Sequence, residues 1–187
     1  MRIISGELKG KKLSVPLDKS TRPLRDMVRE SIFNILDHSN KLSTEIYNSK
    51  VLDLFSGTGS FGIECLSRGA AEAIFFENYH NSLKILKQNI FNLKLENRST
   101  VFDCSAYNLK EINLEDRTFN IIFLDPPFKD GKIKSLIDQI KKLKVADENS
   151  LLVIHRNKKS EDNISQYLNV IVEKNYGLSK IFFCKLI

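Results

Sequence analysis

The sequence predicts an α/β fold: a seven-stranded, mostly parallel sheet with an antiparallel C-terminal hairpin, preceded by an N-terminal β-hairpin arm and helix. Three observations predict it. After Lys50, short apolar runs alternate with stretches whose apolar residues recur at helical spacing, as βαβ units with right-handed crossovers require. The first apolar run leads into an acidic, glycine-rich loop, a feature that belongs at the carboxyl end of a strand. The tail then breaks the alternation, because its two β-prone runs are separated by only four residues and must pair antiparallel.

Each element follows in order. Residues 2–15 hold two short β-prone runs around Gly6 and Gly10, which reads as a hairpin-like arm. A helix starts near Pro23, with Thr21 or Arg22 at its cap, and Val28, Ile32, Ile35 and Leu36 form its apolar stripe. Residues 39–50 are polar and read as a connector. Strands are expected at 51–55, 73–77, 100–103, 120–124 and 151–154. Between them, Leu83, Leu86, Ile90 and Leu93 share one helical face, as do Ile133, Leu136, Ile137, Ile140 and Leu143. The closing hairpin joins 170–176 to 181–186 through Gly177, Leu178, Ser179 and Lys180.

With 187 residues, 42% apolar and 28% charged, the chain reads as one globular domain, with an arm and helix over 1–38 and a core over 50–187. A chain this long buries roughly 70% of the surface its unfolded form exposes and needs no disulfides. Cys65, Cys104 and Cys184 are widely spaced, with no CxxC and no nearby histidine pair, which argues against a zinc site or a redox pair. His38, His80 and His155 show no metal-ligand spacing either. A reducing, cytoplasmic location fits. No apolar run approaches the ~20 residues that span a bilayer, and Met1 begins directly on a structured-looking segment, so neither secretion nor membrane insertion is expected.

The net charge is +6, and its distribution is informative. Counting Lys and Arg against Asp and Glu gives +4 over residues 1–36, −3 over 37–128, +5 over 129–159 and zero over 160–187. Basic segments flanking an acidic middle suggest a polyanionic partner met by the flanks. Lys9, Lys11 and Lys12 crowd the arm, and Arg22, Arg25 and Arg29 lie near one face of the first helix.

Two motifs carry chemistry. The loop DLFSGTGSFG opens with Asp53, and Gly57 and Gly59 let its backbone turn tightly and approach a ligand ahead of a helix with free N–H groups. The usual reading of such a loop is a dinucleotide site, but Asp53 would repel phosphate and attract a cationic amine or sulfonium. Glu77 closes the second strand where an acid can accept both ribose hydroxyls, and Asp103 closes the third, where it can edge an adenine pocket. The second motif is Asp125-Pro126-Pro127-Phe128, directly after an apolar strand. Two prolines fix a stiff turn that projects Asp125 and Phe128 into the crevice. An exocyclic base amine is a poor nucleophile because its lone pair is delocalised into the ring. A carboxylate and a backbone carbonyl that accept its two N–H bonds orient that lone pair, and an aromatic ring holds the base by stacking.

DLFSGTGSFG followed by FLDPPF resembles the class I S-adenosylmethionine-dependent methyltransferases that act on amino groups, with their Rossmann-like seven-stranded sheet. RIISGELKGKKL at 2–13, TRPLRDMVRESIFNIL at 21–36 and the late Tyr176-Gly177 narrow the resemblance to the bacterial 16S rRNA guanine-N2 methyltransferase family. It covers essentially the whole chain. Leu24, Arg25 and Met27 depart from the family pattern, as does His155, where members often carry an acid at the end of strand five.

The resemblance implies methyl transfer from S-adenosylmethionine to the N2 amine of a guanine in 16S rRNA, leaving S-adenosylhomocysteine, without a metal. It implies catalytic roles for Asp125, Pro126, Pro127 and Phe128, with the Pro126 carbonyl sharing the amine with Asp125. Asp53, Gly57 and Gly59 would surround the methionine part, Glu77 the ribose, and Asp103 with Cys104 the adenine, with Phe55, Ser56, Thr58 and Asn78 also binding the cofactor. Lys9, Lys11, Lys12, Arg22, Arg25 and Arg29 would meet RNA, in the small ribosomal subunit or its assembly intermediate, with the enzyme a monomer. Adenine N6 or a glutamine side chain are rival amines for the same motif. A dinucleotide-dependent oxidoreductase and a non-catalytic RNA-binding module are rivals of other classes, disfavoured by Asp53, Asp125 and Phe128.

Overall fold

Five short apolar runs build the parallel part of the sheet in the computed structural model, which describes residues 1–16, 24, 26–114, 117–127, 131–160 and 162–187. They are β1 (Lys50–Leu54), β2 (Glu72–Phe76), β3 (Ser99–Phe102), β4 (Ile121–Leu124) and β5 (Leu151–Asn157). β6 (Leu168–Tyr176) and β7 (Ser179–Leu186) close the sheet as a hairpin, in the order β3-β2-β1-β4-β5-β7-β6. β7 runs antiparallel to both its neighbours. The chain builds outward from β1 to β3 and then returns to β4 on the other side of β1. A crevice therefore opens beyond the carboxyl ends of β1 and β4, where the order reverses.

The central strands read as continuous apolar runs because both faces are covered. On one face, α1 (Asp26–His38), α2 (Ser60–Ser67), α3 (His80–Asn92) and the arm meet Val51, Phe75, Ile121, Phe123 and Val153. Phe61 of α2 stacks between Phe33 of α1 at 5.2 Å and Phe123 of β4 at 4.1 Å, which pins α1 to the sheet through α2. On the other face, α4 (Ile133–Lys142) buries Ile133, Leu136, Ile137 and Ile140 over Leu52, Ile122 and Leu152. Each of these side chains contributes about 1.5–3 kcal/mol by leaving water. No helix among the described residues is long and apolar enough to cross a membrane.

The arm is hairpin-like, joined by one antiparallel bridge between Arg2 and Lys12. It is held mainly from below. The fully buried Glu64 of α2 accepts the N–H groups of Ile4 (2.8 Å) and Ser5 (2.9 Å), and Ser67 accepts those of Glu7 and Leu8. Ser14 exchanges two hydrogen bonds with the Asn89 amide, which also donates to the Thr58 carbonyl in the glycine loop.

Several boundaries differ from expectation for identifiable reasons. Phe55 leaves β1 because its φ of 66° takes the backbone out of the ladder. Glu77 and Asp103 likewise lie one residue beyond their strands, and β4 begins at Ile121. β5 extends three residues further, because β7 pairs with His155, Arg156 and Asn157, whose polarity hides a strand from sequence reading. The final turn uses two residues, Gly177 at φ 59° and Leu178, since Tyr176 already pairs with Ser179. The expected cap at Thr21, Arg22 and Pro23 lies outside the described residues.

Candidate active site

Strand alternation brings the acidic side chains together. Asp53, Glu77, Asp125 and His155 share the parity of Val51, Phe75, Phe123 and Val153, so all four belong to the α2 face at the crevice. The register aligns Asp53 with Phe75 and Phe123, one pleat below Glu77 and Asp125.

Asp53 is 1% exposed, and its Oδ2 accepts the Gly62 N–H at 3.0 Å. Its Oδ1 is buried without a partner among the described residues. Burial pushes its carboxyl up to about 7, against the lowering effect of the Gly62 bond, and the charges of Asp125 and Glu77 add to the rise. Gly62 is required there, since a Cβ would lie 2.4 Å from the Phe75 ring. Gly59 begins α2 at φ 84°, and a Cβ on it would meet Leu86 at 2.5 Å. Gly57, at φ 56°, faces open space. Ser56 fastens the loop to β2, its hydroxyl donating to Asp53 O (2.6 Å) and accepting from Phe76 N (3.0 Å).

Glu77 is 9% exposed and accepts the N–H groups of Gly57 and Tyr79, each at 2.7 Å. Burial raises its carboxyl above the ordinary value, opposed by these bonds. Each carboxylate oxygen keeps a further lone pair for a ligand hydroxyl. Thr58 is buried, Asn78 and Asp103 are exposed, and Cys104 is half-buried. The Phe55 ring lies 5.1 Å from that of Tyr107. The crevice thus offers a buried acid with one oxygen lacking a donor among the described residues, an open glycine backbone and a second acid beside it. These residues fit S-adenosylmethionine, whose cationic amino group suits Asp53 and whose ribose diol suits Glu77.

The turn after β4 is held by two residues that sequence reading left without a role. His155 Nδ1 lies 2.8 Å from Asp125 Oδ1, and its Nε2 lies 2.9 Å from Ser179 Oγ. The next residue, Arg156, is 2% exposed and donates from Nη1 to the carbonyls of Pro126 (3.4 Å) and Pro127 (3.2 Å). It is anchored in turn by Asp162 and Ser160. The Pro126 contact is long, so that carbonyl keeps most of its accepting capacity. Strand parity was the available signal: Leu151, Val153 and His155 match Ile121, Phe123 and Asp125. Phe128 lies outside the described residues.

The basic residues divide. Lys9, Lys11 and Lys12 are exposed on the arm, and Arg22 and Arg25 lie outside the described residues. Arg29 is corrected: it is 1% exposed, so it does not sit on an outward basic face. Its Nη2 donates to the Arg2 carbonyl and to Asp26 at 3.1 Å, while Nε and Nη1 are buried without partners among the described residues. Desolvation lowers its pKa against the pull of Glu64 and Asp26.

Comparison with known proteins places the whole chain in one family. The family described as Conserved hypothetical protein 95 matches residues 1–185. YlbH of Bacillus subtilis is 35% identical, over 99% of this chain and 98% of its own. The ribosomal RNA small subunit methyltransferase D of Buchnera aphidicola subsp. Acyrthosiphon pisum is 34% identical, over 95% of this chain and 85% of its own. Among solved structures, yhhF from Escherichia coli superposes with a TM-score of 0.83 at 28% identity, covering 100% of this chain and 97% of that one. The alternating sheet, the glycine loop and the DPPF turn are therefore features of a methyltransferase, and the chain belongs to the Conserved hypothetical protein 95 family together with the ribosomal RNA small subunit methyltransferases D.

Proposed function

We propose that this protein transfers a methyl group from S-adenosylmethionine to the exocyclic N2 amine of a guanine in 16S rRNA of the small ribosomal subunit. The observation that carries the reading is Asp125, an acid fixed at the crevice mouth by His155 and by a two-proline turn. Its side chain is 20% exposed, and Oδ2 has no partner among the described residues. The relatives named as small-subunit rRNA methyltransferases support rRNA as the substrate. The choice of guanine N2 rests on the resemblance of the flanking motifs.

When bound, S-adenosylmethionine supplies an electrophilic methyl on a sulfonium. The protein's own residues do the rest. Asp53 and the glycine loop hold the cationic amino acid end, and Glu77 accepts from the ribose. Asp125 Oδ2 and the Pro126 carbonyl accept the two N–H bonds of the base amine and turn its lone pair toward the methyl. As the N–CH3 bond forms and the CH3–S bond breaks, the amine gains positive charge, which the carboxylate stabilises more than it stabilises the resting base; the methylated amine then gives one N–H proton to Asp125, which passes it to water. Phe128 would stack on a base that has left its helix.

Asp125→Ala should therefore lower the single-turnover methylation rate by ~10²-fold or more while leaving cofactor affinity nearly intact. The measurement is transfer of labelled methyl to small-subunit particles, with the modified nucleotide then mapped. Wild-type turnover would reduce the turn to a structural feature, and label on adenine or protein would redirect the assignment.

A further inference from the structure

The turn that carries Asp125 is held from both sides, and the way it is held assigns a role to His155. Pro126 has no N–H, and the Asp125 N–H reaches Leu54 O only at 3.4 Å, so backbone bonding fixes this turn poorly. Its hold comes from β5. His155 and Arg156 are consecutive residues that point to opposite faces of the strand, and they grip the turn from its two sides, one through Asp125 Oδ1 and the other through the proline carbonyls. His155 is 5% exposed and sits in a paired strand opposite Ile181, so its ring has little freedom.

The hydrogen-bond chemistry selects one arrangement of the neutral ring. A carboxylate only accepts, so Nδ1 carries the proton toward Asp125, and Nε2 then accepts from the Ser179 hydroxyl. Asp125 Oδ1 is thereby occupied and the side chain is tethered, which leaves Oδ2 for the substrate amine.

We propose that His155 is a positioning residue for the methyl transfer: oriented by Ser179, it fixes Asp125 so that one carboxylate oxygen is presented to the substrate amine. This rests on the reading of Asp125 given above. Without His155, Asp125 can rotate and share both oxygens with water, and a misplacement of about 1 Å costs up to 10²-fold in rate. Cofactor binding does not depend on this contact, since Asp53, Glu77 and the glycine loop are built without it.

The test compares His155→Phe, which keeps the ring but removes the donor, with His155→Asn, whose amide can donate from nearly the position of Nδ1. His155→Phe should lower kcat for particle methylation about ten- to hundredfold with the KM for S-adenosylmethionine changed less than about twofold. His155→Asn should recover the rate to within severalfold of wild type. Because His155→Phe also places an apolar ring against a carboxylate, Ser179→Ala is measured in parallel. It removes only the hydroxyl that fixes the far side of the imidazole, and it should lower kcat severalfold with the cofactor KM again unmoved. Wild-type kcat in His155→Phe overturns the proposal, as does equal loss in His155→Phe and His155→Asn. If His155→Phe does not fold, wild-type kcat in Ser179→Ala overturns it. Asp125→Ala separates the two readings: a slow Asp125→Ala with a fast His155→Phe rejects positioning by His155 alone, whereas a fast Asp125→Ala rejects the role of Asp125.

Discussion

Asp53 stores free energy that a ligand can release. A carboxylate with one oxygen bonded to Gly62 and the other buried without a donor is held near pH 7, far above its ordinary 3.8. Between those values the folded chain keeps a proton that the unfolded chain has lost, so this group makes stability fall as pH rises through that window and level off above it. A cation against Oδ1 reverses the preference and favours the ionised form. S-adenosylmethionine binding at pH 6 should therefore release about one proton. Asp53→Asn should abolish that release, weaken binding at least tenfold and raise the melting temperature of the ligand-free protein at pH 8. Calorimetry in buffers of different ionisation enthalpy reads the proton, and a binding step without it would remove Asp53 from the cofactor site. Glu77 supplies a companion case. Glu77→Ala loses the acceptor for Gly57 and Tyr79 as well as for the ribose, so cofactor affinity should fall at least tenfold in a variant that still folds.

At the scale of elements, α2 joins the arm to the pocket. Its first residues follow the glycine loop, its middle carries Glu64, and its last residue, Ser67, holds the arm's tip. Glu64 accepts from Ile4, Ser5 and the Arg68 Nε, and Arg68 reaches on to Asp37 and lies 4.6 Å over the Phe33 ring. Glu64→Ala leaves two part-buried arm N–H groups without their acceptor and strips a mostly buried guanidinium of one of its two carboxylate partners, a loss of about 3–5 kcal/mol. For a chain of this length the melting temperature should fall by roughly 6–20 °C. Trypsin should also cut after Lys9, Lys11 and Lys12 faster than in the wild type, because the arm then loses the two backbone bonds that tie Ile4 and Ser5 to α2. An arm that stays protected would show that its apolar anchors, Ile3 and Leu13, are sufficient.

At the scale of the molecule, the arm carries exposed positive charge on a segment that begins beside the glycine loop. Ser14 lies beside the loop through Asn89, whereas residues 7 and 8 rest at the far end of α2, an eight-residue helix about 12 Å long. Lys9, Lys11 and Lys12 lie between these points and are exposed, so they can follow phosphates leading away from a base in the crevice. Each phosphate neutralised on single-stranded RNA contributes about −0.7 to the slope of log affinity against log salt. Replacing the three with Gln should flatten that slope by up to about two units and raise the KM for RNA, with cofactor binding unchanged. A wild-type slope would make the arm solvated surface. Arg29 makes no such contribution, because it is enclosed beneath the arm's Arg2.

The sequence by itself determined the alternation of strands and helices, the position of the glycine loop, the acids at successive strand ends and the rigid turn at Asp125. Each depends on residues within a few positions of one another, through periodicity, glycine φ or proline geometry. What only the tertiary structure decided is which distant groups meet. Helical spacing marks Val28 and Ile32 as core, yet cannot show that Arg29 beside them is covered by a chain 27 residues away. Alternation marks Val153 as buried, yet cannot show that His155, 30 residues beyond Asp125, bonds one oxygen of its carboxylate. The orphaned oxygen of Asp53 and the arm's bonds to Glu64 are of the same kind. Desolvation and partner choice are set by segments far apart in the chain, and the packing of the sheet brings them into contact.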